Sequence, residues 1–287
     1  MRTLLLAMLI AFPAAAQPST RPAQVPLFQQ DPPHDVAHPA RMEVLHIPSG
    51  EVAINGVAYL AAGPGRHPTL VIAHGWPGNE KNLDLAQAVR RAGWNAITFN
   101  YRGSWGSPGS FRFAQVPQDA AAVIAYLRDP EVAAKLGIDP ARIALAGHSM
   151  GGWATAMTAA KDAGLKGAIL ISAANMGSLG TLPRSAVVQA AAGNTETLVD
   201  TSPERMADEL IAGAAANNFM NAAPGLAKLP LLVLSSDDGL APGTDALTAA
   251  VRAAGGQVTT THATTDHSWS DARFALQTQV IGWLRGL

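Results

Sequence analysis

From Thr69 onward, short apolar runs alternate with stretches whose apolar positions recur at helical spacing. The apolar runs fall at 69–73, 95–99, 143–146, 168–171, 231–234 and 258–262, and the helical patterns at 83–92, 118–127, 153–163, 244–253 and 273–284. A run that is apolar throughout reads as a strand covered on both faces, and intervening helices of about 10–15 residues predict a mainly parallel sheet. Upstream, 42–47 and 52–60 flank the turn signal Pro48-Ser49-Gly50, which predicts an antiparallel start. The alternation breaks once, at 175–228, where pieces such as 203–216 look helical and no clear strand is found. That stretch is expected to be a small helical, cap-like insertion before the next strand. Residues 41–287 thus form one domain with helices on both faces of its sheet.

The N-terminus departs from this rhythm. Arg2, the apolar run 4–12 and Ala14-Ala15-Ala16 have the layout of a secretory signal peptide, residues 1–16, rather than a retained anchor or buried helix. The run falls short of the ~20 residues that span a bilayer, so an exported protein, periplasmic or secreted and without stable membrane insertion, is expected. Residues 17–40 carry six prolines and little to bury, and are expected to lie extended over the surface.

Composition removes whole classes of chemistry. With no cysteine, the 287-residue chain has no disulfide, thiol nucleophile, lipid-anchor site or zinc–thiolate cluster. A net charge of −1 lacks the basic excess that phosphate neutralisation needs, so nucleic acid is not expected as a partner. Hydrophobic residues make up 48% of the chain and charged ones 14%, well below the usual ~25%, which points to a large folded core. His34-Asp35 with His38 lacks a third metal ligand, and Gly63-Pro64-Gly65 lacks a phosphate-binding lysine and reads as a hairpin turn. Neither metal nor cofactor is expected; oligomeric state is open.

One motif carries chemistry. Gly147-His148-Ser149-Met150-Gly151 follows the apolar run Ile143-Ala144-Leu145-Ala146 and precedes a helical pattern, so G-x-S-x-G stands in its strand–turn–helix context. A serine at the tip of so sharp a turn needs neighbours two positions away without side chains, and the helix N-terminus behind it favours a developing oxyanion. The alternative for Ser149 is a plain helix cap.

On these residues the chain resembles the α/β-hydrolase superfamily over most of 41–287, through the motif above together with His74-Gly75-Trp76-Pro77-Gly78 and Asn100-Tyr101-Arg102-Gly103. The resemblance implies an α/β-hydrolase fold, Ser149 as nucleophile, and an oxyanion hole from the amides of Trp76 and Met150. It also implies that an acid and then a histidine follow in chain order. For the acid, Asp237 and Asp238 both leave the run 231–234, and Pro242 four residues on favours Asp238. For the base, His262 and His267 are the histidines beyond Asp238; the polar loop Thr265-Asp266-His267-Ser268-Trp269 favours His267, and His262 reads as a strand end. Arg102 is expected to tie its loop to neighbours rather than clamp a substrate carboxylate, and His74 to pack beneath its loop. Trp76 and Trp105 are expected at the catalytic edge, as pocket walls or as ordinary loop packing.

Two enzyme functions are compatible with these residues. The first is a serine hydrolase cleaving small-molecule carboxylic esters through an acyl-enzyme. The second is a peptidase of prolyl-oligopeptidase or aminopeptidase type acting on short peptides, weakened because the chain has no room for a propeller domain. A binding module that kept the fold and lost catalysis is a third reading, which the full set of site residues disfavours.

Overall fold

A computed structural model of the protein describes residues 31–287. The signal peptide expected at 1–16 and the first part of the proline-rich segment lie outside them; residues 31–40 run exposed and without regular structure over the surface.

Among the described residues eight strands form one sheet: β1 (Arg41–Ser49), β2 (Val52–Leu60), β3 (His67–Ala73), β4 (Asn95–Phe99), β5 (Ile138–His148), β6 (Gly167–Ile171), β7 (Leu231–Ser236) and β8 (Val258–Ala263), in the order β1-β2-β4-β3-β5-β6-β7-β8. β1 and β2 are antiparallel, as are β2 and β4, and every later pairing is parallel. Helices α1 (Leu83–Arg91), α2 (Val116–Arg128), α3 (Pro130–Leu136) and α4 (Met150–Ala159) connect the central strands. The segment between β6 and β7 holds α5 (Met176–Leu179), α6 (Arg184–Ala192), α7 (Pro203–Ala212) and α8 (Ala223–Leu226); α9 (Ala241–Ala253) and α10 (Arg273–Leu284) complete the chain.

Alternation along the buried strands feeds two cores. Val71, Leu145, Leu170 and Val233 face α2, α4 and α9, while Leu70, Ala144, Ile169 and Leu232 face α1 and α10. Both faces are dry, as a parallel sheet with helices on each side requires. At the margins, β1 alternates exposed with buried and the threonine-rich β8 is largely wet, which suits edge strands.

The crossovers position the site. From β3 the chain turns outward through α1 to β4, then returns across the opposite face through α2 and α3 to β5 beside β3. The loops leaving β3 and β5 therefore diverge, the switch point at which sheets of this kind bind ligands.

Three local expectations change. The Gly63-Pro64-Gly65 turn is no hairpin, because β4 lies between β2 and β3. α3 was missed; Asp129 caps the amides of Glu131 and Val132, and Gly137 at φ 64° ends it. α4 starts at Met150 rather than Trp153, its first turn carrying two glycines that propensity alone disfavours.

Candidate active site

β5 is buried and ends at His148, and Ser149 follows with φ 57° and ψ −122°, a strained backbone for a residue with a side chain. Packing holds the strain in place. A Cβ on Gly147 would stand 2.0 Å from the Gly151 oxygen, and one on Gly151 would stand 2.2 Å from the Ala73 oxygen. The helix can begin this close to β3 and β5 only without those side chains. Met150 opens α4, whose first amides lack partners within the helix, so its N–H is available beside Ser149.

The loop after β3 covers the serine. A Cβ on Gly75 would lie 3.0 Å from Ser149 Cβ, which brings Trp76, the next residue, to the same edge. His74 packs beneath, as expected: its Nδ1 donates to the Gly75 carbonyl at 2.8 Å, and the Tyr101 hydroxyl donates to the His74 carbonyl at 3.0 Å. Burial pushes the His74 imidazole down to about 4, so it is neutral.

Asp238 and His267 meet. The Nδ1 of His267 and Oδ2 of Asp238 are 2.7 Å apart, with 4% of the Asp238 side chain exposed against 39% for His267. Burial raises the Asp238 pKa, but the His267 bond, the Leu240 amide and Ser236 outweigh it and hold the carboxyl below its ordinary range. His267 reaches the serine through its neighbour: its carbonyl accepts from Nε2 of His148 at 2.8 Å, and the two rings lie 4.6 Å apart. Among the described residues no hydrogen bond joins the Ser149 hydroxyl to the His267 ring. In sites without substrate that contact is often long and tightens on binding.

The competing residues go elsewhere. Asp237 bonds Nε2 of His262 at 2.9 Å, and Nδ1 of His262 lies 2.9 Å from Ser235 Oγ. Asp237 therefore does not cap its own loop; that is done by Asp238, which accepts from the Leu240 amide. Arg102 is a scaffold residue, its Nε donating to buried Asp119 at 2.6 Å while its backbone N–H bonds the same carboxylate. Ser49 donates to Asp119 as well, so that the buried charge is compensated.

The two tryptophans diverge. Trp105 lines an open cleft of about 660 Å³ together with Lys81, Leu83, Ser268, Ser270 and Arg273, beside the His267 loop. The Lys81 ammonium stands 3.8 Å above the Trp105 ring and donates to Asn100, and burial lowers it to about 8. Trp76 is half-buried and packs edge-on to Phe113, at 5.1 Å. The insertion is fastened rather than loose: Val199 and Gly103 bond through their backbones, Phe111 N–H bonds the Val199 carbonyl, and Arg112 pairs with Asp200.

Sequence reading missed the residues that brace the histidine loop. Trp269, at φ 58°, donates to Ser172, whose hydroxyl meets that of Ser236 at 2.8 Å, and Ser236 in turn bonds Asp238. Arg273 donates to the Ser268 carbonyl while paired with Asp84. These residues are far apart along the chain, and no local pattern announces them.

A model of the alpha/beta hydrolase family matches residues 70–281. The chain belongs to the alpha/beta hydrolase family. No curated protein sequence matches it significantly. Among solved structures, this hydrolase is similar to an esterase of Pyrobaculum calidifontis, at 19% identity and TM-score 0.62, over 87% of this chain and 86% of that one. It is also similar to Est1E of Butyrivibrio proteoclasticus, solved with ferulic acid bound, at 16% identity and TM-score 0.66, over 84% and 98% of the two chains. An acylaminoacyl peptidase of Pyrococcus horikoshii shares 15% identity and TM-score 0.63, over 86% of this chain and 41% of that one. At such identities the likeness is one of fold. Family membership makes the protein a hydrolase, and no described helix is long and apolar enough to cross a membrane.

Proposed function

We propose that this hydrolase cleaves carboxylic esters through an acyl-enzyme on Ser149, with His267 as general base and Asp238 as its orienting acid. The observation that carries this reading is the 2.7 Å contact between Asp238 and His267 Nδ1 beside the strained Ser149 turn. With Asp238 accepting the hydrogen bond from Nδ1–H, Nε2 keeps its lone pair free to take the serine proton.

Ser149 Oγ attacks the ester carbonyl carbon as His267 Nε2 takes the hydroxyl proton, and the carbonyl electron pair moves to oxygen. The amides of Trp76 and Met150 receive that oxyanion, with the positive end of α4 behind Met150. Collapse expels the alkoxide, which leaves as alcohol with the proton held by His267. Water then attacks the acyl-enzyme with His267 again as base, and the acid and free Ser149 are released. Asp238 stabilises the imidazolium in both halves. Trp105 and the cleft beside His267 would receive the alcohol or acyl group. We also place the mature protein outside the cytoplasm, on residues 1–16; N-terminal sequencing of exported protein beginning at Gln17 would test it.

The test is a substrate panel: p-nitrophenyl esters of several chain lengths beside aminoacyl and prolyl p-nitroanilides, with fluorophosphonate labelling of Ser149. Esters should be turned over at higher kcat/KM than anilides. Faster anilide cleavage would make the enzyme a peptidase with the same machinery, and an unlabelled Ser149 would remove the nucleophile altogether.

A further inference from the structure

His148 is not used by the reaction as written, yet it stands between the nucleophile and the base. It ends β5, precedes Ser149, and is 4% exposed. Its Nε2 lies 2.8 Å from the His267 carbonyl oxygen. A carbonyl only accepts, so Nε2 carries the proton and Nδ1 is the bare nitrogen. That Nδ1 is buried with no partner among the described residues, and faces the oxyanion loop: a Cβ on Gly75 would stand 3.5 Å from it. A ring filling space would not require a polar nitrogen stranded in the interior, where an unmet hydrogen bond costs about 1–3 kcal/mol. The other nitrogen gives the arrangement its sense, because the one bond that the ring makes ties the strand bearing the serine to the backbone of the base.

We infer that His148 is a positioning residue: through its Nε2–H it holds the His267 carbonyl and so sets the His267 imidazole at reacting distance from Ser149. The inference rests on the ester-hydrolase reading above. The His267 loop is held besides by Asp238 at the ring, by the Asp237 amide at the Thr265 carbonyl, by Arg273 at the Ser268 carbonyl and by Trp269 at Ser172. His148 alone among these braces is peptide-bonded to the nucleophile. It is also uncharged, since burial and the nearby His267 ring hold its pKa down to about 4, so it places no cation beside a ring that must itself become one. Misplacement by about 1 Å of a catalytic group can cost about 100-fold in rate.

Two substitutions separate positioning from mere packing. His148→Gln keeps an N–H donor at nearly the reach of Nε2, and His148→Met fills similar space without one. On a neutral p-nitrophenyl ester we expect H148M to lose about 10–100-fold in kcat with KM within about 2-fold, and H148Q to lose no more than about 5-fold. Fluorophosphonate labelling of Ser149 should slow in the same order. Should H148M not fold, His148→Asn, whose shorter amide does not reach the carbonyl, should show the same loss. Equal kcat in the donor and non-donor variants overturns the inference, as does a rate loss in H148Q as large as in H148M. A wild-type Ser149 that resists labelling would instead sink the hydrolase reading, so the two failures are distinct.

Discussion

Asp237 and Asp238 are consecutive, leave the same strand, and each bonds a histidine from the C-terminal part of the chain. With Ser235 against His262, the outer pair even completes a serine–histidine–aspartate chain of bonds, each 2.9 Å long. The inner pair has no such closed chain. The difference lies in the surroundings. Asp238 is 4% exposed and receives bonds from Leu240, Ser236 and His267, whereas Asp237 and His262 are each about half in water at 54% and 49%. Ser149 stands on a strained turn at a helix N-terminus under the loop of Gly75, and Ser235 lies within the extended strand β7. Three residue types in contact are not by themselves a catalytic site; in the proposed reading, burial, backbone strain and free amides single out the Ser149 side.

The sharpest way to break this contrast is at the serines. Ser149→Ala should lower kcat/KM by at least about 10⁴-fold, while Ser235→Ala should leave it within about 2-fold, both read on the same ester. Retained turnover in S149A would move the chemistry elsewhere. Next come the acids: Asp238→Asn leaves His267 without its anionic partner and should cost about 10³–10⁴-fold in kcat, against less than about 2-fold for Asp237→Asn. The outer pair should also matter little for stability, about 0–1 kcal/mol in urea unfolding of D237N, because an exposed polar pair is shared with water and entropically costly to hold.

The smallest effect is a slope. His74 and His148 are held neutral near pKa 4 by burial, against an ordinary value of 6.5. Below pH 6.5 the unfolded chain binds protons that the folded chain refuses. Their contribution is therefore complete above about pH 6.5, falls as pH drops toward 4, and levels off below that. Urea midpoints measured at pH 7, 5.5 and 4.5 should decline in that order. His148→Gln should flatten the decline; a decline unchanged in H148Q would contradict the buried neutral state.

Much of the molecule was legible beforehand because its signals are local. Uninterrupted apolar runs mark strands buried on both faces, and the runs at 95–99 and 231–234 fall within β4 and β7. The glycines of the Ser149 turn are visible in sequence because a side chain at either position would strike backbone. α3 was harder, since its seven residues are too few for periodicity to register and only its Asp129 and Gly137 ends mark it. The Asp237–Asp238 alternative could be weighted by Pro242 but not settled from spacing, because neighbouring residues on a loop can face opposite ways.

By itself, the sequence determined the succession of the strands and of most helices, the sharp turn at Ser149 and a short list of candidate partners, since each follows from the chemistry of adjacent residues. Tertiary structure alone decided which aspartate meets which histidine, that Trp105 rather than Trp76 lines the cleft beside His267, and that His148, Ser172, Ser236 and Arg273 converge on one loop. Those outcomes depend on how strands distant in the chain are set side by side, and on which groups that pairing shuts away from water.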